Sequence, residues 1–387
     1  MTAKEQKPET IAVHAGHMSA EHFGAVNTPV YRASTILFPT LDALEGRDAP
    51  YTYGRRGTPS SRSLEDAITA LEGGTRTVLC PSGANAIATA ILSVCRAGDH
   101  LLMVDSCYNP TRTFCDKLLK RLGVETTYYD PTIGAGIEAL FKPNTKAVFC
   151  ESPGSLTFEV QDVPAIARVA HAKGASVLLD NTWGTPLFFD AFAHGVDLSI
   201  QAATKYVGGH ADAMMGYVCA NAGHEARLTE THDGLGLCVG GDDCFLILRG
   251  LRTMPVRLRQ HQENGLKLAR WLATRPEVER VLHPALESDP GHALWKRDFK
   301  GACGLFGVVL KPVPHKALAA FMDNLALFGM GFSWGGYESL IVTSHTHRTA
   351  KPFHTGGPLI RIHAGLEDAD DLIADLAQGL ERMRHVA

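Results

Sequence analysis

Between residues 76 and 220 short apolar runs alternate with segments of helical period, and no other feature of the chain constrains its fold so tightly. Strands are expected at 76–80, 101–105, 124–129, 147–150, 177–180, 198–201 and 215–220, with helical segments at 84–95, 111–122 and 163–172 between several of them. Strand and helix in succession make a mainly parallel sheet wrapped by helices, the α/β class. Such a sheet gathers its strand ends along one edge, where ligands bind. Ahead of it, Leu64, Ala67, Ile68 and Leu71 recur at helical spacing. Residues 1–46 show no strong period, and Asn27-Thr28-Pro29-Val30-Tyr31 reads as extended chain and turn, so 1–55 is expected to be an N-terminal arm. A large domain is expected over 56–250. Leu258, Leu266, Leu268 and Trp271 then suggest a long helix leading into a smaller α/β domain, 251–387, with strands at 305–310 and 359–362. At 387 residues and 45% hydrophobic content the chain can bury a core in more than one lobe.

The strand ends carry chemistry. Leu178 and Leu179 run into Asp180, delivering a carboxylate to the carboxyl edge of the sheet, and the run 198–200 delivers Thr204 and Lys205 to the same edge. A lysine amine and a carboxylate together suit pyridoxal 5'-phosphate: the amine joins its aldehyde, and the carboxylate keeps the ring nitrogen protonated so that the ring accepts electrons. Cys80-Pro81-Ser82-Gly83-Ala84 passes from strand to helix through a glycine, and free N–H groups at a helix start make a phosphate seat. Tyr51-Thr52-Tyr53-Gly54-Arg55-Arg56-Gly57 places aromatic and guanidinium groups on a flexible loop able to hold an anion. Tyr108 follows the second strand and can reach the same edge. Ser333-Trp334-Gly335-Gly336 is glycine-rich enough to bring backbone close to a ligand. Arg361 stands in the otherwise apolar Leu359-Ile360-Arg361-Ile362, where an unpaired guanidinium is costly, and an amino-acid carboxylate is a fitting bidentate partner.

Taken in order, Tyr53-Gly54-Arg55-Arg56-Gly57-Thr58-Pro59, Pro81-Ser82-Gly83, Glu151-Ser152-Pro153-Gly154-Ser155, Gln201-Ala202-Ala203-Thr204-Lys205-Tyr206, Ser333-Trp334-Gly335-Gly336-Tyr337-Glu338-Ser339-Leu340 and Leu359-Ile360-Arg361-Ile362-His363 resemble the trans-sulfuration family of pyridoxal phosphate enzymes, over residues 31–380. The resemblance implies an aspartate-aminotransferase-like (fold type I) architecture. It makes Lys205 the lysine that bonds the cofactor and moves protons, Asp180 the partner of the ring nitrogen, and Tyr108 the residue stacked on the ring and steering protons. Ser82, Gly83, Ala84 and Thr204 would hold the phosphate. Tyr53 and Arg55 would reach the phosphate of a neighbouring subunit, with Tyr53 also near the substrate. Arg361, Ser333 and Trp334 would seat the substrate carboxylate. Shared sites imply a dimer at least, and a homotetramer built from dimers is expected.

The activity implied is a carbon–sulfur lyase acting by β-elimination on L-cystathionine to give homocysteine, pyruvate and ammonia, in methionine biosynthesis. A broader cysteine-S-conjugate lyase and a γ-acting relative (cystathionine γ-lyase or γ-synthase) are the alternatives. Two positions depart from the family pattern. Ala202 replaces a serine of many relatives, removing a hydroxyl from the phosphate grip, and Ser155 replaces an asparagine. Pro110 fills the place of a cysteine carried by relatives that act on methionine, which argues against that activity.

The net charge is -4 with no long run of like charge, which gives no footprint for nucleic acid or an anionic membrane. Residues 1–10 lack the apolar core of a signal peptide, and a cytoplasmic location is expected. The nine cysteines are odd in number and without Cys-x-x-Cys spacing, which favours reduced thiols. His345-Thr346-His347 could supply half a metal site, but no cluster completes it, and no metal is expected.

Overall fold

The computed structural model of the protein describes residues 6–386; the first five residues of the expected arm lie outside the described residues. The larger sheet contains β1 (Arg76–Cys80), β2 (His100–Val104), β3 (Glu125–Tyr129), β4 (Thr145–Glu151), β5 (Ser176–Asp180), β6 (Leu198–Gln201) and β7 (Gly216–Ala220). Their order is β1-β7-β6-β5-β4-β2-β3. Neighbours from β6 to β3 run parallel, and β7 is antiparallel to both β1 and β6. All seven strands were expected from the sequence: β2 and β7, buried throughout, need no alternation because both faces are covered, whereas the edge strand β3 (Glu125-Thr126-Thr127-Tyr128-Tyr129) is partly exposed.

This topology places the residues following β1, β2, β5 and β6, with the last residue of β4, at one carboxyl edge. Helix Gly83–Val94 starts immediately after β1, capped by Ser82, whose Oγ accepts the Asn85 N–H at 3.1 Å. Where one helix was expected over 111–122, an α-helix Asn109–Thr113 runs into a π-helical turn, Phe114–Leu119.

The helix Gly241–Ala273 is 33 residues long and leads from the first sheet to the second, so residue 250 falls within a continuous helix. The second sheet holds β8 (Val278–Leu282), β9 (Leu305–Leu310), β10 (Leu340–Ser344) and β11 (Leu359–His363), antiparallel in the order β10-β11-β9-β8. Strands β8 and β10 had no clear sequence signal, since exposed Glu279 and Arg280 interrupt the first and Thr343 is exposed in the second. Leu372, Leu376, Leu380 and Met383 of the C-terminal helix Ala369–Val386 join Phe306, Val308, Ile341 and Ile360 in a second core. Trp183, just past β5, donates its indole N–H to the Leu305 carbonyl at 2.9 Å and ties the two sheets together.

Among the described residues no helix is long and apolar enough to cross a membrane, and no group of three His, Cys, Asp or Glu side chains could hold a metal ion. All nine cysteines are unpaired; eight are buried and Cys238 is exposed.

Candidate active site

Lys205 and Asp180 lie at the same sheet edge, near enough for each to shift the other's titration. Burial, reinforced by the Arg361 guanidinium and opposed by Asp180, pushes the Lys205 amine down to about 8. Burial raises the Asp180 carboxyl, while hydrogen bonds from Thr182 and the charge of Lys205 pull it back. The Thr182 N–H and hydroxyl both donate to Asp180 Oδ1, at 3.0 and 2.6 Å. Oδ2 receives no hydrogen bond among the described residues, so one carboxylate oxygen remains for a donor from outside the chain. Thr182 Oγ1 also accepts the Ala202 N–H at 3.0 Å, which locks the loop after β6 to the end of β5. From the other side, Arg257 of the long helix donates to Val207 O (3.3 Å) and Gly250 O (2.7 Å). The Lys205 loop is therefore held at both ends by buried polar groups.

Gly83 opens its helix beside that loop. A Cβ there would stand 2.6 Å from the Cβ of Ala202, so the two positions are packed to contact and a side chain at either is constrained by the other. The first N–H groups of this helix, including those of Gly83 and Ala84, have no intrahelical acceptor. Thr204 Oγ1 donates to Met215 O at 3.1 Å and accepts the Met215 N–H at 2.9 Å, pairing its loop with the start of β7.

The second lobe closes the site. Lys205 Nζ donates to Ser333 Oγ at 2.6 Å and lies 5.2 Å from the Trp334 ring centre. Ser333, a non-glycine residue at φ +79°, also turns its carbonyl toward Arg361, which donates through Nη2 at 3.0 Å. Tyr108 is 45% exposed, and its N–H donates to Glu151 Oε2 at 2.7 Å. Burial, then the Glu151 and Asp180 carboxyls, hold the Tyr108 phenol above its usual range, while Arg361 opposes them. Glu151 is pushed well up by burial and by Asp180, its register neighbour on β5. The Ser155 N–H donates to Ser106 O at 2.8 Å, fixing the loop after β4 against the one after β2.

The structure thus brings Lys205, Asp180, Tyr108, Ser333, Trp334 and Arg361 together, with Ser82, Gly83, Ala84 and Thr204 along the same edge. Tyr53 and Arg55 are different: no hydrogen bond among the described residues joins either to these groups. Arg55 instead donates to Asp233 O at 3.3 Å, and Tyr53 is 48% exposed. Sequence reading missed Thr182 and Glu151. Thr182 had one available signal, a hydroxyl two residues past a strand-end aspartate, where it can bond back to the carboxylate.

A buried carboxylate with an open oxygen, a lysine amine near neutrality, and unpaired N–H groups at a helix start fit pyridoxal phosphate, and together they define the class: a pyridoxal phosphate-dependent enzyme. The pattern of the family described as Cys/Met metabolism PLP-dependent enzyme matches residues 9–381, and the chain belongs to that family. It is 46% identical to the cystathionine β-lyase of Escherichia coli (strain K12), over 98% of this chain and 99% of that one. It is 42% identical to the cystathionine β-lyase of Haemophilus influenzae, over 97% and 98%. Among solved structures, cystathionine γ-synthase from Xanthomonas oryzae pv. oryzae, in complex with aminoacrylate and cysteine, superposes with a TM-score of 0.92 at 33% identity, covering 99% of this chain and 100% of the other.

Proposed function

We propose that the protein is a carbon–sulfur lyase that cleaves L-cystathionine by β-elimination and, with one water consumed in hydrolysis of the eliminated fragment, gives homocysteine, pyruvate and ammonia. The observation that carries this reading is the identity of 42–46%, over nearly the whole chain, to cystathionine β-lyases, against 33% to a γ-acting enzyme whose fold superposes closely. Bound at the sheet edge, pyridoxal phosphate supplies an electron sink for the electrons left at the substrate α-carbon. Asp180 Oδ2 would hold the proton of the ring nitrogen. The first N–H groups of helix Gly83–Val94, with Ser82 at its cap, would hold the phosphate, and Thr204 stiffens the neighbouring loop. Arg361, oriented by the Ser333 carbonyl, binds the α-carboxylate. Lys205 Nζ, neutral in a large fraction of molecules near pH 8, takes the α-proton and returns a proton to the departing sulfur. Tyr108 would cover the ring. Trp334 beside the carboxylate seat limits how the substrate chain lies, and Pro110 offers no side-chain proton donor or acceptor for removing a second proton from the β-carbon.

Tyr53 and Arg55 serve the site of a second subunit, and Tyr53 also borders its substrate. In support, they do not join their own chain's site, and the arm that precedes them leaves Leu37 86% exposed, apolar surface of the kind a partner covers. The assembly is a homotetramer of such dimers, located in the cytoplasm, with the domain division near residue 250. The deciding experiment is to identify the keto acid released from cystathionine. Pyruvate is expected; 2-oxobutyrate as the main product, from cystathionine or methionine, would refute β-elimination.

A further inference from the structure

Beneath residues 333–336, two imidazoles and a phenol fill the space between the lobes. Tyr206 lies 5.1 Å from His261 and 5.9 Å from His363, ring centre to ring centre, and the imidazoles are 5.2 Å apart. Both histidines are buried, at 0% and 1% exposure. Each leaves one ring nitrogen without a partner among the described residues: Nε2 of His261 and Nδ1 of His363. Nothing in the reaction proposed above uses either side chain.

His363 stands two residues past Arg361 on β11, on the same face of the strand. Its Nε2 is 3.2 Å from the Gly335 N–H and 3.1 Å from the Gly336 carbonyl. On its other side Gly335 rests on the backbone of Lys205: a Cβ at 335 would stand 2.9 Å from the Lys205 carbonyl carbon, and its φ is +85°. The loop is clamped between His363 and Lys205. Its height sets both contacts of Ser333, with Lys205 Nζ and with Arg361.

The charge states in this cluster follow from its surroundings. His261 donates through Nδ1 to Ala364 O at 2.9 Å, so its Nε2 is a lone pair. Burial, joined for His363 by nearby His261, Arg361 and Lys205, holds His261 down to about 4 and His363 to about 3, so both rings are neutral. A neutral His363 either accepts the Gly335 N–H at Nε2 or donates from it to the Gly336 carbonyl, and in both forms Nε2 ties the ring to the 335–336 backbone.

We propose that His363 is a positioning residue that holds residues 333–336 against Lys205 and so aims Arg361 at the substrate carboxylate. This rests on the assignment of Lys205, Ser333, Trp334 and Arg361 to the site. His363→Leu, His363→Gln and His363→Asn, prepared as holoenzymes, test it. Glutamine can place an acceptor oxygen near the position of Nε2; asparagine is too short. Readouts are KM and kcat for L-cystathionine, the dissociation constant of glycine followed by the change in visible absorbance, and the melting temperature.

His363→Leu and His363→Asn should raise KM and the glycine constant about tenfold, the loss of roughly one hydrogen bond. With kcat little changed and melting alike, His363→Gln should return both constants to within about threefold of the parent. Equal constants for Gln and Asn, or parental constants for Leu, overturn the proposal. Should His363→Leu fail to fold, the Gln and Asn pair decides by the same comparison. A Lys205→Ala protein that keeps the visible band would instead overturn the site assignment, whereas normally coloured His363 variants with unaltered constants overturn only the positioning role.

Discussion

At the scale of single residues, Lys205 concentrates the chemistry. Its amine is lowered to about 8 by burial and by Arg361, so below that value most molecules carry an ammonium that cannot attack an aldehyde. Uptake of pyridoxal phosphate by the apoprotein should therefore accelerate as pH rises from about 6 to 8 and level off above it. Continued acceleration beyond pH 10 would mark an ordinary surface amine. Lys205→Ala should yield protein without the visible band of the lysine-bound cofactor and with turnover reduced at least ~10³-fold, within the range for a positioned acid–base group. Full activity with the band intact would reassign the lysine.

Among the elements, the connection from β10 to β11 is anchored on the larger sheet by one carboxylate. Asp105, just past β2, accepts the N–H groups of Thr349 (2.9 Å), Ala350 (2.8 Å) and Lys351 (3.1 Å), the Thr349 hydroxyl (3.0 Å), and Arg112 Nη2 (2.5 Å). These bonds keep its carboxyl below the usual range despite burial. Arg112 lies 3.7 Å over the Tyr128 ring, so the latch continues into the outer strand β3. Asp105→Ala strands a buried guanidinium and three backbone donors, and should cost about 3–5 kcal/mol of stability in denaturant unfolding. Asp105→Asn keeps an acceptor and should cost less. A loss under about 1 kcal/mol for the alanine variant would show that the segment is held by other contacts.

For the whole molecule, the question is whether one chain makes a site. Lys205→Ala and Arg55→Ala chains, each inactive alone, are expected to regain activity when mixed under conditions of subunit exchange. In the mixed dimer one site receives an intact Lys205 and an intact Arg55, and about a quarter of the parental activity should return if the chains mix at random. Exchange proven by mass, with no activity recovered, would place Arg55 in its own chain's site.

The sequence by itself made the strands of the larger sheet legible, with the residue types that stand at their ends. Apolar runs buried on both sides need no long-range information to be recognised, and Asp180 and Lys205 follow such runs directly. Covalent neighbours also made Cys80-Pro81-Ser82-Gly83-Ala84 legible as a strand-to-helix passage and Arg361 as a guanidinium awaiting a partner. The tertiary structure alone decided what is set by residues distant in the chain. Thr182 meets Ala202 only because β5 and β6 are adjacent, and Asp105 meets Thr349 only because the lobes pack. Helix 111–122 turned π-helical within the fold, and β8 and β10 exist because β9 and β11 offer them edges. His261 and His363 lie about a hundred residues apart, and it is burial between two lobes that strips their charge and brings them together under the loop.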